Sequence, residues 1–365
     1  MNDFSVLCDI PTPLLYWYQG AKRDLPWRRE PTPYHVWISE IMLQQTRVEA
    51  VKGYYERFLA AFPTVSDLAA ADDDVLNKVW QGLGYYSRAR NLKKAAAAVM
   101  EQYGGELPCD HKALLGLPGI GAYTAGAIGS IAFGLPTPAV DGNVLRVVTR
   151  LCGYDADIAK QTTKDTVSSA LAEIYPRTPA ESSAFTQALM ELGATVCVPN
   201  GMPHCAECPL AHLCAAHAAG RETELPKKAP KKPRTVVCKT VFLLRCGEYY
   251  ALRRRPDEGL LAGLWEFPSE DTVMTRVDME AWLSSHGFAA KKIMTLSPAK
   301  HIFTHIEWHM TGYLCETENR GKTPDFVRAT NFVRATNFVW ATKEEIAETY
   351  SVPSAFSAYL KIVLS

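Results

Sequence analysis

Two acidic residues sit in contrasting surroundings, and together they suit the cleavage of a glycosidic bond. Glu40 lies in "HVWISEIMLQQT"; on a helix its neighbours are Val36, Trp37, Leu43 and Gln44, three of them apolar. A carboxylate there loses its water, so its pKa is expected to rise. Asp141, in "TPAVDGNVLRVV", stands where a helix is expected to begin. An aspartate at that cap accepts backbone N–H bonds and feels the helix dipole, which favours its ionised form. One protonated and one ionised carboxyl is the arrangement that protonates a leaving group while stabilising an oxocarbenium carbon. The acid supplies about 10²–10⁴-fold, leaving much of the rest to its partner. Each residue alone also has a plainer role, Asp141 as a cap and Glu40 as a partner of an arginine or glutamine.

Three further stretches carry chemistry. In "LPGIGAYTAG", Gly119 and Gly121 separate two helical segments. Glycines there permit positive φ and expose amide N–H groups, which with a helix N-terminus form an anion site. This suits a helix-hairpin-helix loop gripping a DNA phosphate without reading sequence, and equally a plain turn between packed helices. In "CVPNGMPHCAECPLAHLC", Cys197, Cys205, Cys208 and Cys214 are separated by seven, two and five residues. That clustering points to a closed metal site and leaves zinc and an iron–sulfur cluster both open. In "WQGLGYYSRAR", a tyrosine pair and Leu83 between glycines suit a wedge that fills the hole left by an extruded base; aromatic pairs also serve in cores.

The elements that must position these residues follow from pattern. The chain has 365 residues, enough for two or three domains. Lys+Arg and Asp+Glu balance at 39 each, so net charge argues neither for nor against a polyanionic partner. No signal-like leader and no apolar run of the ~20 residues that span a bilayer are evident. A soluble, cytoplasmic protein without membrane association is expected. The six scattered cysteines (Cys8, Cys109, Cys152, Cys238, Cys246, Cys315) are expected to act as small core residues. Residues 1–225 recur at helical spacing. "LPKKAPKKPRTV" alternates prolines with Lys227, Lys228, Lys231, Lys232 and Arg234, and reads as a stiff basic linker over 226–235. Residues 236–365 shift to short strands with one helix, "DMEAWLSSHG", predicting a smaller α+β domain. There the unit FVRATN occurs at 326–331 and again at 332–337, a duplication whose even period keeps one strand face inward.

Taken in order, "DLPWRR", "WISEIMLQQTRV", "WQGLGYYSRARNL", "LPGIGAYTAGAI", "AVDGNVLRV" and the trailing four-cysteine loop resemble the adenine DNA glycosylases (the MutY family) of the helix-hairpin-helix glycosylase superfamily. The likeness is dense over residues 10–220 and continues through "GLLAGLWEFP" and "HIFTHIEWHM". The fold it implies is multidomain: an all-α helix-hairpin-helix glycosylase with an iron–sulfur cluster loop, then an α+β Nudix-like domain. The implied activity is monofunctional removal of adenine mispaired with 8-oxoguanine or guanine in double-stranded DNA, by a nucleoid-associated enzyme of bacterial type, expected as a monomer.

The resemblance also implies roles. Glu40 protonates the flipped adenine at N7. Asp141 stabilises or traps the sugar cation, with Asn143 orienting it and Tyr123 supporting the sugar. Trp27, Arg28 and Gln187 line the adenine pocket; Gln45, Leu83 and Tyr85 intrude around the 8-oxoguanine; Phe303, Thr304 and His305 recognise it. The four cysteines hold one [4Fe–4S] cluster. The family is expected to have six residues between the first two of them, where this chain has seven. In the similar endonuclease III group a lysine that forms a Schiff base and cleaves the strand stands at the position of Tyr123, and tyrosine cannot form an imine. The competing readings are a bifunctional pyrimidine glycosylase with lyase activity and a non-catalytic lesion-binding protein. The Nudix-like part lacks the paired glutamates that bind magnesium in Nudix hydrolases.

Overall fold

The structure is a computed structural model that describes residues 4–230, 233–320 and 338–365; Lys231, Lys232 and the FVRATN duplication lie outside the described residues. It divides into two compact units, one of Met1–Ala70 with Asn91–Pro230 and one of Ala71–Arg90 with Lys231–Ser365.

The first unit is built of helices and the turns between them, with no strand among its described residues. Its central helix, Pro33–Leu43, begins at Thr32, whose side chain accepts from the His35 amide at 3.2 Å, with proline at the first helical turn. Eight of its residues, including Trp37, Ile38 and Glu40, are buried. A helix buried nearly all round belongs to a core, and so Glu40 is carried inside. Helix Gly142–Leu151 shares a core with helices Pro179–Thr195 and Pro11–Ala21 through Val147, Val148, Phe185, Leu189, Leu192 and Leu14. Each such side chain contributes about 1.5–3 kcal/mol by burial. Two of these helices meet at Gly193, where a Cβ would lie 2.5 Å from that of Asn143, so only glycine permits the approach.

The second unit is built on a sheet of β1 (Thr235–Cys246), β2 (Tyr249–Arg254), β3 (Trp265–Glu266), β4 (Ser269–Glu270), β5 (Ala290–Ile302), β6 (Ile306–Thr317) and β7 (Phe338–Ala341). The order is β3-β2-β1-β6-β5, with β4 on β1 and β7 on β2. β1 and β6 run parallel from Thr235↔Ile306 to Arg245↔Glu316. Alternation along β1 feeds two cores. Val241 and Leu243 join Trp308, Phe356 and Tyr359 under helix Ser357–Leu364, while Phe242 and Leu244 join Met279 and Leu283 of helix Arg276–Ser285.

Several expectations change here. In "HIFTHIEWHMTGYLC", residues 303–305 turn between β5 and β6. β5 itself goes unnoticed in the sequence because its side chains are exposed or half-buried and show no apolar alternation. Of the scattered cysteines, Cys152 and Cys315 are buried, whereas Cys8, Cys109 and Cys238 are exposed and Cys246 is half-buried. Small size permits burial without compelling it. Residues Ala71–Arg90 fall within the helical stretch of the sequence, yet their contacts group them with the sheet unit. No helix among the described residues is long and apolar enough to cross a membrane.

Candidate active site

A cleft of about 1170 Å³ opens in the helical unit, and Glu40, Tyr123, Asp141 and Asn143 all line it. Glu40 is 5% exposed. Burial pushes its carboxyl up to about 7; a hydrogen bond from the Tyr123 hydroxyl opposes that, and the nearby Asp141 adds to it. Tyr123 is raised well above the usual phenol value, first by burial and then by the two carboxyls, so its hydroxyl remains a donor.

Asp141 caps helix Gly142–Leu151 as expected: its Oδ1 accepts from the Val144 amide at 2.7 Å, and its Oδ2 from Asn143 Nδ2 at 2.7 Å. The capping was expected to favour its ionised form, yet its pKa is shifted upward. Loss of water in the cleft outweighs the cap bonds, Asn143 and the Arg146 charge. Arg146 links this corner to the cysteine loop. Its guanidinium donates to Asn143 Oδ1 at 2.8 Å, to the Gly193 carbonyl at 2.6 Å and to the Cys197 carbonyl at 2.7 Å.

Trp27, Arg28 and Gln187 line the same cleft. Trp27 packs edge-on to Tyr55 at 5.6 Å. Arg28 donates to Glu191 Oε2 at 2.7 Å, and Tyr18 donates to Gln187 Oε1 at 3.1 Å. The sequence reading missed Glu191, a fully buried acid that also binds Arg23. Its position four residues after Gln187 on one helix was the available signal.

In the "LPGIG" turn, Gly119 has φ 75°, and a Cβ there would lie 2.6 Å from that of Asn91. Gly121 differs from expectation. It is extended, at φ −92° and ψ 179°, with open space around it, and it precedes helix Ala122–Ala127. Gln45 is exposed at φ 59° and lines the cleft.

Leu83, Tyr85, Phe303, Thr304 and His305 lie in the second unit. Leu83 is 6% exposed, and Tyr85 is 45% exposed at φ 47°. The Tyr85 hydroxyl meets the Thr304 hydroxyl at 2.9 Å. Phe303 packs edge-on to Trp308 at 4.8 Å, and its amide donates to the Ile306 carbonyl, closing the turn that presents exposed Thr304 and His305.

Cys197, Cys205, Cys208 and Cys214 converge on one small cavity of about 30 Å³ beside Arg150, His217 and Glu222. Buried Arg150 donates to Cys197 Sγ at 3.2 Å. Burial and the other cysteines push Cys208 up to about 11, so four thiolates gathered here call for a positive ligand. Between the first two cysteines, Gly201 turns at φ 75° and the His204 amide returns to the Val196 carbonyl at 3.0 Å. His217 and Glu222 escaped sequence reading; with Cys205 they offer ligand atoms within 4.8 Å of one another.

Residues 38–176 match the HhH-GPD superfamily of base excision DNA repair proteins, and residues 240–361 match the NUDIX domain. The helical fold is similar to a thermostable thymine-DNA glycosylase (28% identity, TM-score 0.50, covering 57% of this chain and 95% of that one). It is also similar to endonuclease III in a trapped covalent DNA intermediate (27%, 0.51, 60% and 99%). Fold and cleft thus define a DNA base-excision glycosylase of the helix-hairpin-helix class with a Nudix-like C-terminal domain. Among curated relatives, the adenine DNA glycosylase of Homo sapiens is 35% identical, covering 85% of this chain and 67% of its own length. That of Rattus norvegicus is 36% identical (88% and 73%), and that of Buchnera aphidicola subsp. Baizongia pistaciae 34% (80% and 82%). The chain belongs to the adenine DNA glycosylase family, enzymes of base excision repair.

Proposed function

We propose that the enzyme excises adenine mispaired with 8-oxoguanine or guanine from duplex DNA, acting as a monomer and leaving the strand intact. The observation that carries this reading is the pairing of Glu40, raised to about 7, with Asp141 across one cleft. Glu40 gives its proton to N7 of the extruded adenine. The bond between N9 and the sugar C1′ breaks, its electron pair leaving with the base. Asp141, held by Asn143, stabilises or traps the cation at C1′, and Tyr123 supports the sugar. Water then adds at C1′, and its proton restores Glu40. Trp27, Arg28 and Gln187 hold the adenine. Gly119 and Gly121 present backbone to a phosphate, and Gln45, Leu83, Tyr85, Phe303, Thr304 and His305 address the opposite base.

The convergent thiols fit a [4Fe–4S] cluster on Cys197, Cys205, Cys208 and Cys214. When bound, such a cluster braces the loop from which the Cys197 carbonyl reaches Arg146. The expected location is cytoplasmic.

Single-turnover digestion of duplexes carrying adenine opposite 8-oxoguanine, guanine or thymine tests the reading. Adenine release is expected from the first two, fastest from the first. Release of a pyrimidine, or a borohydride-trapped amine adduct, supports the lyase alternative; lesion binding without base release supports the non-catalytic one.

A further inference from the structure

Helix Asp73–Trp80 carries Asp74 and Lys78 one turn apart on one face, and Gln81 follows as its C-cap. Each bonds to the sheet unit to which the helix belongs. Asp74 Oδ1 accepts from Trp265 Nε1 at 3.1 Å. Lys78 Nζ donates to the carbonyls of Ala347 and Tyr350, at the end of helix Lys343–Glu348. Gln81 Nε2 donates to the Val352 carbonyl at 2.9 Å. The opposite face is closed by Leu76 and Trp80, 2% and 0% exposed.

The loop that follows is organised from within. Trp80 Nε1 and the Arg88 guanidinium both bond the Gly84 carbonyl, and Arg88 also bonds that of Leu83. Its exposed tip, Tyr85, meets Thr304. Positive φ at Tyr85 is a conformation that bulky residues seldom hold unless the surroundings impose it.

We infer that Asp74, Lys78 and Gln81 are positioning residues that fasten the strand-intruding loop 81–86 to the lesion-recognising unit, so that Leu83, Tyr85 and Thr304 address the base opposite adenine as one body. This rests on the function proposed above. Residues 38–176 match the glycosylase family by sequence, yet this segment within them is held by the Nudix-like unit. A loop fastened at both the helix face and Thr304 meets DNA with little ordering left to do, and preorganisation of that kind favours the matching lesion.

The test uses the full chain with two readouts: the ratio of adenine release from duplexes with 8-oxoguanine over guanine, and amide hydrogen exchange in residues 82–86. The double variant Asp74→Leu/Lys78→Met is expected to lower the ratio on the order of tenfold, since three fastening hydrogen bonds are gone, with the loss carried by affinity for the 8-oxoguanine duplex. Exchange in the loop is expected to quicken. Asp74→Asn/Lys78→Arg, which keeps acceptor and donor, is expected to restore both. A ratio within twofold of wild type, or unchanged exchange, overturns the inference. If the double variant does not fold, Gln81→Leu decides by the same readouts. Failure of the wild-type chain to discriminate the two duplexes would sink the underlying functional reading instead, and is scored first.

Discussion

The hydroxyl of Tyr123 donates to Oε2 of Glu40, across 83 positions of chain. The bond alone would make Glu40 a stronger acid, but burial wins and its pKa stands near 7. Tyr123 does not compete for the role of proton donor, since its own proton is held more tightly still. The pair therefore keeps one transferable proton near neutral pH, on the carboxyl.

Replacing Glu40 with glutamine removes that proton and leaves the shape. Adenine release under single-turnover conditions is expected to fall by about 10²–10⁴-fold with duplex affinity retained. For the unaltered enzyme, release is expected to decline as pH rises through about 7, where Glu40 loses its proton. A rate that climbs through that range would contradict the assignment.

The same shift bears on stability. A glutamic acid whose folded pKa is raised costs nothing below its ordinary value of 4.5, and the cost grows until pH passes about 7. Glu40→Gln is therefore expected to gain stability over the wild type as pH climbs across that window, and to match it in acid. Denaturant melts at stepped pH measure the difference.

Gly119 and Gly121 should part company under mutation. Gly119→Ala faces both positive φ and a 2.6 Å clash with Asn91, so a loss of about 1 kcal/mol or more is expected, together with weaker DNA affinity. Gly121→Ala has extended backbone and open space, and is expected to fold with little change. Thermal melts and duplex titration of the two variants decide.

Arg146→Met breaks four bonds of a residue 6% exposed and leaves the Gly142, Asn143, Gly193 and Cys197 acceptors without it. A destabilisation of about 3 kcal/mol or more is expected. Adenine release should slow because Asp141 is less firmly held, while the pH midpoint set by Glu40 stays in place. A shifted midpoint would show that the two carboxyls are not separately supported.

Cys208→Ser is expected to lower bound iron and the melting temperature together, with DNA binding falling more than the chemical step. Iron analysis and melts of the purified variant measure this; a fully stable, iron-free wild-type protein would remove the cluster from the account.

The two halves of the chain, the helical periodicity of the first and the four-cysteine spacing were legible from residues alone, because period and spacing are local properties. So was the desolvated setting of Glu40, since its helical neighbours are apolar. What required the tertiary structure were the relations between distant segments. Burial of Asp141 in the cleft reverses the shift its cap alone predicts. Glu191 pins Arg28 from 163 residues away, and residues 71–90 leave their sequence neighbours for the sheet unit. A side chain's neighbours along a helix follow from its number, but its electrostatic surroundings depend on which remote elements pack against it and how much water they exclude.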